Sequence, residues 1–229
     1  MNFLIKKGEG LRGEITVPGD KSISHRSIIL SSLAEGTSRI TGLLEGEDCL
    51  ATIEVFREMG IKIHNDDGVY SIEGKGLQGL ESPDKTLDFG NSGTSVRLCS
   101  GILSAQNFKT ILSGDTSLSS RPMQRIVEPL SAMGANISSA EGGTLPLEIY
   151  PVDKLNSIKY SLPVASAQVK SCIMLAGLFA EGKTEIEESA VTRNHTENMF
   201  QEFNIPIEIN NSNNVKNIVL RKVDLIKPT

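Results

Sequence analysis

Three short segments set cations or small polar side chains immediately ahead of apolar runs with helical spacing. They are Lys21-Ser22-Ile23-Ser24-His25-Arg26, Asn91-Ser92-Gly93-Thr94-Ser95-Val96-Arg97 and Ser166-Ala167-Gln168-Val169-Lys170, and their starts lie 70 and 75 residues apart. A second series, Glu47-Asp48-Cys49, Arg121-Pro122-Met123 and Arg193-Asn194-His195, recurs at 74 and 72 residues. A helix start carries roughly half a positive charge, so a cation there costs ~0.3–1 kcal/mol unless an anion joins it. Lys21, Arg121 and Arg193 all fall at expected helix starts, which points to anions that they meet together. Lys21 and Arg26 have no anionic side chain expected to satisfy them, and Ser22 adds a hydroxyl donor. Gly93 brings backbone N–H groups close to a ligand because it has no side chain to block the approach. Arg121 is expected just ahead of a Pro at the first helical position.

Repetition at a fixed period means one supersecondary unit used several times. In the first copy, Ser27 to Ala34 reads as a helix stopped by Glu35-Gly36, and Thr37 to Ile40 as a strand. Leu50, Ile53, Phe56 and Met59 share one helical face that Gly60 closes. Ile61 to His64 and Val69 to Ile72 alternate around Asn65-Asp66-Asp67-Gly68, the pattern of a hairpin. The second copy repeats this, with a helix from Leu98, a strand at Lys109 to Leu112, and a helix through Met123, Ile126, Val127, Leu130 and Met133 that Gly134 ends. In the third, Asn204 stands where Gly60 and Gly134 stand, a mild change because Asn tolerates the left-handed conformation; its hairpin bends at an Asn-rich turn.

The expected fold is α/β (α+β): three helix–strand–helix–hairpin units with the more apolar first helices inside and the sheets facing outward.

With no Trp and 4% aromatic residues, the core must be built from Ile, Leu, Val, Ala and Met. The formal net charge of −5 argues against nucleic acid held on a basic face, and leaves anion binding to local geometry. No apolar run approaches the ~20 residues that span a bilayer, and none makes a signal peptide. The odd set Cys49, Cys99 and Cys172 shows no metal-ligand spacing and suits a reducing cytoplasm. With three histidines and no His-x-x-x-His pair, no metal site is expected. Gly-x-Gly-x-x-Gly occurs at Gly8 to Gly13 and at Gly74 to Gly79, but neither opens a helix, so neither reads as a dinucleotide site.

At Asp20-Lys21-Ser22-Ile23-Ser24-His25-Arg26, Gly90-Asn91-Ser92-Gly93-Thr94, and Gly114-Asp115-Thr116-Ser117-Leu118 with Arg121-Pro122-Met123, the chain resembles the 5-enolpyruvylshikimate-3-phosphate synthase family. The likeness covers essentially the whole chain. It implies an enolpyruvyl transferase-like fold of two similar three-repeat domains with the active site between them, of which this chain is the amino-terminal half. Residues 1–19 would pack with the second, carboxyl-terminal domain, 20–226 form the substrate-binding domain, and 227–229 begin the linker.

The implied reaction moves the enolpyruvyl group of phosphoenolpyruvate to the 5-hydroxyl of shikimate 3-phosphate and releases phosphate, without metal or organic cofactor, in the cytoplasm. By resemblance Lys21 touches both substrates and serves as the catalytic lysine. Ser22, Arg26, Ser166, Ala167, Gln168 and Arg193 would bind shikimate 3-phosphate; Gly93, Arg121 and Gln168 would join Lys21 on phosphoenolpyruvate. His25 and His195 are expected as structural hydrogen bonders and Thr94 as positional support. Gly93 implies room for glyphosate beside the phosphoenolpyruvate site. The opposite wall, with its catalytic Asp, is absent, so the isolated chain is expected to bind shikimate 3-phosphate weakly without turning over. Two readings compete: a UDP-N-acetylglucosamine enolpyruvyl transferase, which needs a reactive Cys, and a non-catalytic anion-binding module.

Overall fold

A computed structural model describes residues 3–8, 10, 12–212 and 215–229. The first repeat comprises α1 (Lys21–Leu33), β1 (Glu35–Thr41), α2 (Glu47–Glu58), β2 (Lys62–Asp66) and β3 (Val69–Lys75). The second comprises β4 (Leu87–Asp88), α3 (Gly93–Leu103), β5 (Thr110–Ser113), the single turn α4 (Thr116–Ser119), α5 (Gln124–Ala132), β6 (Asn136–Ala140) and β7 (Thr144–Tyr150). The third comprises β8 (Lys159–Ser161), α6 (Ala167–Gly177), β9 (Lys183–Glu188), α7 (His195–Glu202), β10 (Ile207–Ser212) and β11 (Val215–Arg221).

Each repeat builds its own sheet, in the orders β2-β3-β1, β6-β7-β5-β4 and β10-β11-β9-β8. The expected unit lacked one part. A short strand, β4 or β8, precedes the buried helix of the second and third repeats and pairs parallel with β5 or β9. At two and three residues these strands are too short to show alternation. In the first sheet the corresponding edge of β1 is met by the end of the chain: Glu35 N–H donates to the Ile226 carbonyl at 2.9 Å and Arg39 N–H to that of Thr229 at 3.1 Å.

The three first helices lie inside, as expected from their apolar runs. Ile28, Ile29 and Leu33 of α1, Val96, Leu98 and Ile102 of α3, and Cys172 to Ala176 of α6 are buried in one core. At the α3–α6 crossing, a β-carbon placed on Gly101 would stand 2.3 Å from the Cys172 carbonyl oxygen, so only Gly lets the helices approach this closely. The second helix of each repeat stops at a residue with positive φ: Gly60 (82°), Gly134 (90°) and Asn204 (54°). The β2–β3 hairpin turns through Asp67 and Gly68, both also at positive φ, the geometry that matches the strand twist.

One core assignment changes: Leu50 is 40% exposed, and α2 buries Cys49, Thr52, Ile53, Val55 and Phe56 instead. The Asn-rich turn of the third hairpin contains Asn213 and Asn214, which lie outside the described residues, as do Glu9 and Leu11 of the Gly8–Gly13 match and Met1 and Asn2. Gly74 to Gly79 runs out of β3 into a turn, with no helix following. Among the described residues, no helix is long and apolar enough to cross a membrane.

Candidate active site

Asp20 caps α1, accepting the Ile23 N–H at 2.9 Å, and so puts Lys21 at the first helical position. The expectation that Lys21 lacks an anionic neighbour is wrong. Its ammonium pairs with Asp48, placed by the acidic first turn of α2. Lys21 stays half exposed there, so an incoming anion can compete for it in a solvated setting. Arg26 follows a different course. It is buried, donating from Nη1 to the Ser22 carbonyl (2.8 Å), from Nε to Thr196 Oγ1 (2.6 Å) and from Nη2 to Ser171 Oγ (2.8 Å). Among the described residues, no carboxylate forms an ion pair with it. Burial lowers its pKa to about 10 against the opposing pull of Glu197 and Asp20, and Arg193 lowers it further. Arg193 itself is exposed, immediately ahead of the N-cap Asn194 of α7.

A second group of cations gathers where α3 begins. Ser92 caps this helix by accepting the Ser95 N–H. Arg97, one turn on from Gly93, is buried and donates from Nη1 to the Gly93 carbonyl (3.0 Å) and to Gln168 Oε1 (2.8 Å), and from Nη2 to the Pro122 carbonyl (3.3 Å). Its Nε is buried without a hydrogen-bond partner among the described residues. Burial brings the Arg97 pKa down to about 10, and the charges of Arg125 and Arg121 push the same way. Arg121 donates to the side-chain oxygens of Asn91 and Ser117. It sits in the turn after α4 and not at a helix start, because α5 begins only at Gln124, beyond Pro122 and Met123. A β-carbon on Gly93 would lie 2.8 Å from Arg97 Nη1 and 3.1 Å from Arg121 Nη1.

The third helix start joins the two groups. Ser166 caps α6, Gln168 receives Arg97 and donates to Thr94 Oγ1 at 3.0 Å, and Ser171 receives Arg26. His25 completes the web from below, with Nδ1 2.8 Å from Thr52 Oγ1 and Nε2 3.4 Å from Ser92 Oγ. Its full burial takes its pKa down to about 4, so it is neutral near pH 7 and holds α1, α2 and α3 in register. His195 Nδ1 lies 3.7 Å from Asp20 Oδ1.

Lys21, Ser22, Arg26, Gly93, Arg121, Ser166, Ala167, Gln168 and Arg193 thus all belong to neighbouring helix starts or to the turns leading into them. Arg97, Ser171 and Thr196 were missed as site-forming residues. A charged residue four positions after Gly93 in an otherwise uncharged helix was the available signal for Arg97. Guanidinium and ammonium groups around three helix N-termini suit small ligands carrying phosphate or carboxylate. No cluster of His, Cys, Asp and Glu able to hold a metal occurs among the described residues.

A family-wide sequence profile for EPSP synthase (3-phosphoshikimate 1-carboxyvinyltransferase) matches residues 5–219. The chain belongs to the EPSP synthase family. It is 54% identical over 209 residues to the 3-phosphoshikimate 1-carboxyvinyltransferase of Hydrogenovibrio crunogenus, covering 91% of this chain and 47% of that protein. With the enzyme of the same name from Methylococcus capsulatus it shares 55% identity over 206 residues, covering 90% of this chain and 47% of that protein. A solved EPSP synthase from Acinetobacter baumannii superposes with a TM-score of 0.89 at 50% identity, over 95% of this chain and 48% of that one. The chain therefore spans about half the length of the EPSP synthase relatives it matches.

Proposed function

We propose that this chain is the amino-terminal, substrate-binding part of an EPSP synthase acting in the cytoplasm on shikimate 3-phosphate and phosphoenolpyruvate. The observation that carries this reading is the α6 start, where Gln168 accepts from Arg97 and Ser171 from Arg26, so that one helix joins the two cation groups. Two groups side by side suit two anionic substrates held together.

In this reading Arg26, Ser22, Ser166, the Ala167 N–H, Gln168 and Arg193 hold shikimate 3-phosphate. Arg121, Gln168 and the Gly93 backbone receive phosphoenolpyruvate, which displaces Asp48 from Lys21 as it binds. The 5-hydroxyl of shikimate 3-phosphate attacks C2 of phosphoenolpyruvate while a proton is added at C3. The hydroxyl gives up its own proton to a base as its oxygen bonds C2, and the tetrahedral adduct then loses one proton of the C3 methyl group together with inorganic phosphate, leaving the enol ether. Lys21 touches both substrates and assists proton transfer. Acid–base chemistry needs groups on both sides of the reacting carbon, and these would come from the second domain that the relatives' remaining length provides. Residues 20–226 form the binding domain and 227–229 lead toward the other. The exposure of Phe3, Ile5, Ile15 and Val17 supports assigning residues 1–19 to contacts with that second domain.

The buried thiols speak against a transferase that relies on a reactive Cys. Burial raises the Cys49 and Cys99 pKa values to about 11 and 12 and that of Cys172 further still. Calorimetric titration of shikimate 3-phosphate tests the proposal. Saturable binding that inorganic phosphate at the same concentration does not reproduce supports it, and phosphate release on adding the carboxyl-terminal half of a relative supports the reaction. An equal response to any phosphate overturns it in favour of a general anion module.

A further inference from the structure

Beneath the expected substrate contacts lies a set of buried charges to which that reading assigns no role. Lys170 of α6 is fully buried, and its ammonium meets two carboxylates: Glu188 Oε2 at 3.0 Å and Glu197 Oε1 at 2.8 Å. Lys216 of β11 reaches the same Glu197 oxygen at 2.7 Å and lies 3.9 Å from Glu188 Oε2. Glu188 is buried because it follows Thr184 and Ile186 on the inward face of β9. A carboxylate taken out of water must find cations, and Lys170 supplies one from the end of the first turn of α6.

The set has two outlets, and each leads to an arginine. Glu188 Oε1 accepts a hydrogen bond from the Thr192 hydroxyl, one residue before Arg193. Glu197 follows Thr196, whose hydroxyl receives Arg26 and lies 2.7 Å from Ser171 Oγ, and Ser171 follows Lys170. Two lysines and two glutamates balance, so the charge of Arg26 remains in surplus above them. Glu197 is also the strongest opposing charge acting on Arg26. Its second oxygen, Oε2, is buried without a hydrogen-bond partner among the described residues.

We propose that Lys170 is a positioning residue: by clamping Glu188 and Glu197 it sets, through Thr192 and Thr196, where Arg193 and Arg26 stand toward the anion. The proposal rests on the assignment of these arginines to shikimate 3-phosphate. It gives the third repeat two jobs, contact at the α6 start and alignment one turn deeper.

Three variants of this chain test it. Lys170→Met with Glu188→Met removes one charge of each sign and replaces the pair by apolar groups of similar length, a change that folded proteins tolerate. Thr192→Val cuts only the link to the Arg193 loop, and Thr192→Ser restores it. The double variant and Thr192→Val should each weaken shikimate 3-phosphate binding about tenfold, the cost of losing a group that orients a ligand-holding side chain. Thr192→Val should melt below the parent by no more than the loss of one hydrogen bond to a charged group accounts for, and Thr192→Ser should recover parental affinity, which a merely structural role would not produce. Without ligand, backbone order parameters from 15N relaxation for residues 189–194 should fall from the rigid range near 0.85 toward about 0.6 in the double variant and in Thr192→Val. Unchanged order there in Thr192→Val overturns the proposal, even if the double variant fails to fold. If the parent chain shows no saturable binding, the substrate reading falls alone, and the relaxation data still decide on Lys170.

Discussion

Gln168 Oε1 accepts a hydrogen bond from Arg97 Nη1 at 2.8 Å, joining the first turn of α6 in the third repeat to α3 in the second. Through this one side chain the α3 and α6 starts share an arginine. Gln168→Leu should cost about 2 kcal/mol in denaturant unfolding, the worth of a hydrogen bond to a charged group. Gln168→Glu should keep that stability by pairing with Arg97 yet weaken phosphoenolpyruvate binding through its added negative charge. Parental affinity in Gln168→Glu would show that the bridge does not face the ligand.

Gly93→Ala should fold, because the atoms its methyl meets first are the movable ends of Arg97 and Arg121. The two guanidinium groups must shift, however. In a complete enzyme carrying this domain, the inhibition constant for glyphosate should rise and the KM for phosphoenolpyruvate should rise with it. An unchanged inhibition constant counts against placing Gly93 beside that ligand.

Gly101→Ala is the opposite case. Its methyl meets a backbone carbonyl of α6, which cannot step aside without moving the helix. We expect a loss of about 3 kcal/mol or more, read from thermal and urea unfolding. A melting temperature within a degree or two of the parent would mean that the α3–α6 crossing is looser than described.

These positions also show what could be read from the chain alone. The helix starts at Lys21, Gly93 and Ala167 were legible because polar donors there precede long apolar runs, and the hairpins because alternation brackets Asp67-Gly68. The short strands β4 and β8 were not, having too few residues to alternate. The partner of Lys21 was missed because Asp48 lies on another helix, and pattern along the chain carries no information about that distance. Arg97 and Lys170 were hidden for a common reason: a single charge inside an apolar helix reads as a solvated position until the neighbouring helices are seen to enclose it.

Stability should fall as the pH drops below 6.5. Burial takes the His25 pKa from 6.5 to about 4, so over this interval the unfolded chain binds a proton that the folded chain refuses. Stability therefore rises with pH through the window, by up to about 3 kcal/mol from this residue, and levels off below pH 4. His25→Gln should lose part of that slope in melting temperatures measured across the window. An identical slope would assign the acid sensitivity to other groups.

Cys49, Cys99 and Cys172 are buried and their pKa values are raised, so thiol reagents should label none of them in the folded protein near pH 8 and all of them in denaturant. Rapid native labelling of any one would reopen the reading that depends on a reactive thiol.

The bond from Glu35 N–H to the Ile226 carbonyl has a bearing on biosynthesis. The segment that leaves the ribosome early receives its last hydrogen-bonding neighbour from residues made some 190 positions later. Contacts spanning so much of a chain slow folding, because a long loop must close before they form. The repeat that begins the domain is the last to be finished.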